Sequence, residues 1–186
     1  MRWDRVHDGR TAFLACMWAM CTPGTPIELG CLPRIGARPE LDGAAGVLLA
    51  LLDRGLTLGV SGGEATHQVA AAVMAETGAR PGDVADADWV LVHGAAADAI
   101  ACARRGGRLS PERGATLVLA AAAEPHPVSI AGPGVHGQAE VWVPLDEVTV
   151  RAFAAANSAP PCGVDLLIVT GNCVIGLPRS VALGVV

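Results

Sequence analysis

The pattern of apolar and polar positions is sharpest near the end of the chain. Leu166 to Thr170 and Cys173 to Leu177 are two short apolar, partly β-branched runs separated by Gly171-Asn172, a dipeptide that tolerates positive φ and favours a tight hairpin turn. The spacing predicts a β-hairpin. Because Leu166, Leu167, Ile168 and Val169 run on without polar alternation, the first strand is expected to be covered on both faces, in the middle of a sheet flanked by helices. Asp165 and Arg179 then sit at the same end of the pair. Two readings are open there, a strand-end salt bridge and a polar mouth that meets a ligand or partner.

Upstream, Thr11 to Met20 reads as a helix, with Phe13, Leu14, Met17, Trp18 and Cys21 at helical spacing and Asp8 or Thr11 as cap. Thr22-Pro23-Gly24 stops it. Thr25 to Leu29 reads as an edge strand, because Pro26 cannot donate to a ladder. Pro33, Gly36 and Pro39 mark a loop; Asp42 is the expected cap of a second helix with Val47, Leu48, Leu51 and Leu52 on one face, closed by Gly55. Leu56 to Val60 and Trp89 to Val92 read as strands, and Ala65 to Glu76 (ended by Gly78) and Ala95 to Arg105 as helices. After Pro111 come three strands with short links, Thr116 to Leu119, Val128 to Ile130 and Ala139 to Val143, read as an antiparallel portion, then a last helix over Leu145 to Ala156. The expected class is α/β, with a mixed parallel and antiparallel sheet flanked by helices in one domain over residues 1–186.

Composition narrows the chemistry. The formal charge of -5 combines 13 basic residues, all arginine, with 18 acidic ones, and this balance gives no footprint for nucleic acid. Arg104, Arg105 and Arg108 form the one basic cluster, expected at the solvated C-terminus of a helix. Lysine is absent, so the chain cannot form the internal aldimine of a pyridoxal phosphate enzyme or supply a Walker-type phosphate lysine. Six cysteines without a C-x-x-C pair point to reduced thiols in the cytoplasm. No uncharged apolar run reaches the ~20 residues needed to span a bilayer, and Asp4 and Asp8 stand where a signal peptide needs positive charge.

Gly59-Val60-Ser61-Gly62-Gly63 matches the G-x-S-x-G nucleophile elbow between a strand and a helix, which permits a small serine esterase using Ser61. A plain βα turn fits the same residues, as does a cradle in which backbone N–H groups hold a phosphate or phosphonate oxygen. Glu64 and His67 have the spacing of a carboxylate-bridged metal site but lack the second copy such sites need. His126 and His136 lack a third ligand, so no metal site is expected. Gly132-Pro133-Gly134 either reverses the chain or lets another group approach the backbone closely.

Four segments together resemble the H subunit of the bacterial carbon-phosphorus lyase system (PhnH). They are Phe13, Ala19, Met20, Pro23 and Gly24; Gly114-Ala115-Thr116-Leu117; Gly132-Pro133-Gly134; and Pro161, Gly163 and Asp165 before a hairpin closed by Leu177-Pro178-Arg179. Leu14 stands where that family usually has arginine, Cys21 where serine is common, and Ser180-Val181 where two threonines are usual. The resemblance implies a fold similar to the large domain of pyridoxal phosphate transferases without the cofactor. It also implies a homodimer that joins the G, I and J subunits to couple an alkylphosphonate to the ribose of ATP, giving a ribose 1-alkylphosphonate 5-triphosphate. A free-standing dimeric protein that binds a phosphonate or nucleotide is a further reading. The resemblance carries over no catalytic residue, so Asp165, Arg179, Gly132, Gly134 and Ser61 stand as candidate ligand or partner contacts.

Overall fold

Asp165–Thr170 and Cys173–Leu177 pair antiparallel, with Thr170 opposite Cys173 and Leu166 opposite Leu177, across a turn in which Gly171 has φ +54°. In the computed structural model, which describes residues 3–35 and 38–186, this hairpin lies inside a seven-stranded sheet. In chain order the elements are α1 (His7–Cys21), β1 (Pro26–Glu28), α2 (Pro39–Leu51), β2 (Thr57–Ser61), α3 (Glu64–Thr77), β3 (Arg80–Pro81), β4 (Trp89–His93) and α4 (Ala97–Cys102). There follow β5 (Arg105–Gly107), β6 (Ser110–Gly114), β7 (Thr116–Ala120), β8 (His126–Ala131), β9 (Gln138–Val143), α5 (Glu147–Ala156), β10 (Asp165–Thr170), β11 (Cys173–Leu177) and β12 (Ala182–Val185).

The main sheet runs β1-β11-β10-β7-β4-β2-β3. From β10 to β3 all neighbours are parallel, while β11 and β1 join antiparallel at the other edge. Side-chain alternation divides the core into two layers. Leu91, Val118, Leu167 and Val169 face α1, α2 and α3, whereas Val90, Val92, Leu117, Leu119, Leu166 and Ile168 face α4, α5 and a second sheet of order β12-β8-β9. The central strands are therefore apolar without alternation because both sides are covered.

Local differences from the expected elements have identifiable causes. The first helix begins at His7, and its exposed backbone N–H groups are met by Asp4, whose Oδ1 accepts from Val6 N at 2.9 Å and His7 N at 2.7 Å, rather than by Asp8 or Thr11. The second begins at Pro39, whose fixed φ suits the first helical position; Asp42 lies inside it and accepts from Ile35 N at 2.8 Å, and the helix ends before Gly55. Gly36 lies outside the described residues. Helix α4 stops at Cys102, so Arg104 precedes the β5–β6 hairpin and Arg105 and Arg108 lie in it, its tip residue Leu109 being wholly exposed, and none of the three is at a helix end. β7 is a parallel strand of the main sheet and takes no part in the antiparallel portion, where β12 joins β8 and β9.

The largest departure concerns α1. A helix-spaced apolar stripe ordinarily marks the core side, but Phe13, Leu14, Met17, Trp18 and Cys21 face outwards, and Gly9, Ala12, Ala15, Cys16 and Ala19 are buried. The small face lets the helix backbone lie against β11: a Cβ at Gly176 would sit 2.5 Å from the Ala19 carbonyl oxygen.

Candidate functional site

Asp165 opens β10 and Arg179 follows β11, so the hairpin brings them together. Asp165 Oδ1 accepts from Arg179 N at 2.7 Å and Nε at 3.2 Å, and Oδ2 accepts from Nε at 3.0 Å and from NH2. The guanidinium also donates through NH1 to the Pro111 carbonyl and through NH2 to the Gly114 carbonyl, the latter at 3.3 Å. Both side chains are mostly buried, 19 % and 16 % exposed. Every guanidinium nitrogen thus has a protein partner, and the pair ties three segments into one knot. A side chain at Gly114 would collide with the Gly163 carbonyl and Arg179, and one at Gly163 (φ +155°) with Asn157 Oδ1, which accepts from Val164 N at 2.8 Å. A cleft of about 460 Å³, lined by Pro111, Glu112, Pro160, Pro161, Cys162 and Arg179 among others, opens beside this knot. Its walls are largely proline and aliphatic carbon, chemistry suited to packing against a surface.

The Gly132-Pro133-Gly134 turn does both things its composition allows. Gly132 and Gly134 have φ of +134° and +82°, and Val135 N donates to the Gly132 carbonyl at 3.0 Å. A Cβ at Gly134 would lie 2.6 Å from the Cys21 carbonyl oxygen, and one at Gly132 would lie 2.9 Å from that of Ser180. Gly24 N in turn donates to the Gly176 carbonyl at 3.1 Å. The Gly-Pro-Gly turn therefore joins the end of α1 to the end of the terminal hairpin, and Arg179 in that hairpin end packs on Gly114 ahead of β7. The four segments behind the sequence resemblance are thus linked by successive close contacts.

Ser61 lies apart, at the end of β2 before α3. It is in register with Val92, which faces α4 and α5, whereas His93, the next residue along, turns to the opposite face and lies 3.5 Å from Glu40 Oε1 of α2. Neighbouring parallel strands in register present side chains to the same face, so Ser61 and His93 point away from each other. Among the described residues no hydrogen bond joins Ser61 to a histidine. His67 Nδ1 lies 3.1 Å from the Gly63 carbonyl, and Glu64 accepts from Gln68 at 3.1 Å, so both members of that pair are engaged locally. Among the described residues no group of three or more His, Cys, Asp or Glu side chains could hold a metal ion.

Two features were invisible to sequence reasoning. At the carboxyl ends of β4 and β7 a cleft of about 360 Å³ is lined by small residues including Gly94, Ala120 and Ala123, with His93, His126 and Asp146 at its rim. Hydrogen bonds from Thr149 hold the Asp146 carboxyl below its usual range, and the nearby His126 adds to the effect. His93 is backed there by Glu40, which is only 7 % exposed. The second feature is the outward face of α1, where Trp18 is 61 % exposed. Beneath it burial pushes the Cys16 thiol up to about 12, leaving it a core group without nucleophilic character.

A second polar knot fastens the N-terminal ends of β2 and β4. Asp88 accepts from Thr57 N at 2.9 Å, from Thr57 Oγ1 at 2.7 Å and from Arg104. Burial pushes its carboxyl up, but the bonds from Thr57 and Arg104 outweigh this and hold it below the usual range. No described helix is long and apolar enough to cross a membrane.

The candidate C-P lyase subunit protein HtxG of Stutzerimonas stutzeri is 29% identical over 175 residues, which covers 92% of this chain and 83% of that protein. The profile of the family described as bacterial phosphonate metabolism protein (PhnH) matches residues 2–184, taking in all the packed segments described above. By that near-complete match, the chain belongs to the PhnH family.

Proposed function

We propose that this chain is an accessory subunit of the bacterial carbon-phosphorus lyase system, acting in the cytoplasm in organic phosphonate catabolism. In this reading it pairs with itself when isolated and joins the G, I and J subunits to form ribose 1-alkylphosphonate 5-triphosphate from ATP and an alkylphosphonate. It works without pyridoxal phosphate, since the chain has no lysine to hold the aldehyde. A sheet like that of the large domain of pyridoxal phosphate transferases, without the cofactor, belongs to the same reading.

The observation that carries it is a contrast. Among the described residues the reactive-looking groups, Asp165, Arg179 and Ser61, are either bonded to the protein itself or lack a catalytic partner, while a row of large apolar side chains is presented to the outside. Such surfaces mark contact with other proteins. Co-expression with the G, I and J subunits followed by affinity isolation of this chain tests it: the four are expected to co-purify, and recovery of the chain alone would refute it. The cleft flanked by His93 and His126 favours a second reading, a free-standing dimeric phosphonate-binding protein, which requires calorimetric binding of a phosphonate or nucleotide by the isolated chain. A serine esterase would require labelling by a fluorophosphonate that is lost in Ser61→Ala.

A further inference from the structure

The loop from β2 into α3 holds a polar group that folding leaves without a partner. Thr66, in the first turn of α3, is wholly buried, and among the described residues its Oγ1 is the one buried hydroxyl with no hydrogen bond. Thr11 and Thr77, also helical, donate to the carbonyl four residues back, at 3.0 and 2.9 Å. Thr66 Oγ1 instead lies 2.6 Å from the place a Cβ on Gly62 would take, so the hydroxyl is turned towards the loop ahead of the helix. Burying a hydroxyl unpaired disfavours folding, and native chains keep few such groups.

The same loop presents free donors. α3 has 14 residues, and its first hydrogen bonds run from Thr66 N and His67 N to the Gly63 carbonyl, at 3.0 and 3.2 Å. Among the described residues the N–H groups of Gly63, Glu64 and Ala65 meet no protein acceptor, and Gly63, as N-cap, brings no side chain to cap them. All three residues are exposed, and a Cβ on Gly63 would meet nothing within 4 Å. The space before the helix end is therefore open to a ligand. Glu64 accepts from Gln68 at 3.1 Å and is drawn along the helix, away from its end. Converging N–H groups and the positive end of a helix dipole fit an oxyanion.

The place in the sheet agrees. β2 leads through α3 on one face to β3, and β4 leads through α4 on the other face towards β7, so the connections part between β2 and β4. Open parallel sheets bind ligands outside the carboxyl ends of the strands at such a parting. Gly62 and Gly63 stand there, and on the adjacent strand end a Cβ on Gly94 would likewise meet nothing within 4 Å.

We propose that the loop between β2 and α3 binds the PO3 group of a phosphonate or a phosphate ester, held by the N–H groups of Gly63, Glu64 and Ala65 with the Thr66 hydroxyl as a further donor. The choice of a phosphorus ligand rests on the functional reading above. Isothermal titration calorimetry of the full-length chain with methylphosphonate, inorganic phosphate and ATP tests it. Saturable binding is expected; preference for methylphosphonate marks a phosphonate site and preference for ATP a nucleotide phosphate site. Thr66→Val keeps the side-chain shape and loses the hydroxyl, and Gly63→Pro suits the local φ of -81° and loses one N–H. Each is expected to weaken binding about 10-fold or more, whereas Thr66→Ser, which keeps the hydroxyl, stays within about threefold. Without ligand, Thr66→Val should hold or raise the urea midpoint, because its hydroxyl has no internal bond to lose. A fall would reveal such a bond and overturn the proposal. Binding by none of the three probes, or binding undiminished in either variant, overturns it as well. Co-isolation of the unmodified chain with the other subunits is measured separately, so missing anion binding beside intact co-isolation removes this site and leaves the subunit reading standing.

Discussion

Arg179→Met separates a structural clasp from a ligand-binding arginine. The substitution removes the bidentate contact to Asp165 and the donors to the Pro111 and Gly114 carbonyls, leaving the Asp165 carboxylate with the Arg179 backbone N–H at 2.7 Å as its remaining partner in this group. Breaking one side of a buried ion pair costs about 3–5 kcal/mol. Both side chains here keep a little exposure, 19 % and 16 %, and water can reach them from the adjoining cleft, which favours the low end, ~3 kcal/mol. For a chain of 186 residues each kcal/mol moves Tm by about 2–4 °C, so a fall of roughly 6–12 °C is expected. Urea and thermal denaturation followed by circular dichroism measure it. A loss below about 1 kcal/mol, the range of exposed pairs, would refute the clasp and leave the guanidinium free to meet an anion.

Other outcomes follow from the same packing. Gly176→Val places side-chain atoms against the Ala19 carbonyl and Met20 N, 2.5 and 2.8 Å from where its Cβ would lie; because both are backbone, α1 has to move, at a cost of ~2 kcal/mol, and an unchanged urea midpoint would contradict the close approach. Maleimide labelling of the native protein should modify exposed Cys102 quickly and spare Cys16, whose thiol is pushed up to about 12; early modification of Cys16 on a mass-mapped digest would contradict its burial. Asp88 and Asp146 both titrate below their ordinary value of 3.8 in the folded chain. Their contribution to stability is therefore present above about pH 4 and lost as pH falls through the lowered values. The stability difference between the unmodified chain and Asp88→Asn should accordingly shrink below pH 4 in urea titrations, and a pH-independent difference would count against the assigned bonds.

Local chemistry was legible where short-range rules decide the outcome. Gly171-Asn172 announces a two-residue turn, and Gly78, with φ +76°, closes α3 where a glycine C-cap is expected. The ends of that hairpin place Asp165 against Arg179, so their meeting could be read from the chain. Their further bonds to Pro111 and Gly114 come from residues 68 and 65 positions away and could not. The α1 stripe misled for a similar reason: which side of a helix is buried depends on what it meets, and Gly176 of β11 admits only the small side. The run Thr116 to Ala120 lacks polar alternation, the mark of a strand covered on both faces, and this agrees with its place between β10 and β4 better than with an antiparallel portion. Glu40 and His93 are brought together only by the packing of α2 on the sheet, and no spacing rule reaches across the intervening chain.

If the chain acts only through its neighbours, chemistry should depend on it without residing in it. The direct measurement is ATP- and alkylphosphonate-dependent product formation by the reconstituted G, H, I and J assembly, with this chain as H, compared with the assembly lacking it and with the chain alone. Product is expected from the full set only. Turnover by the isolated chain, or undiminished turnover when it is omitted, would contradict the proposed role.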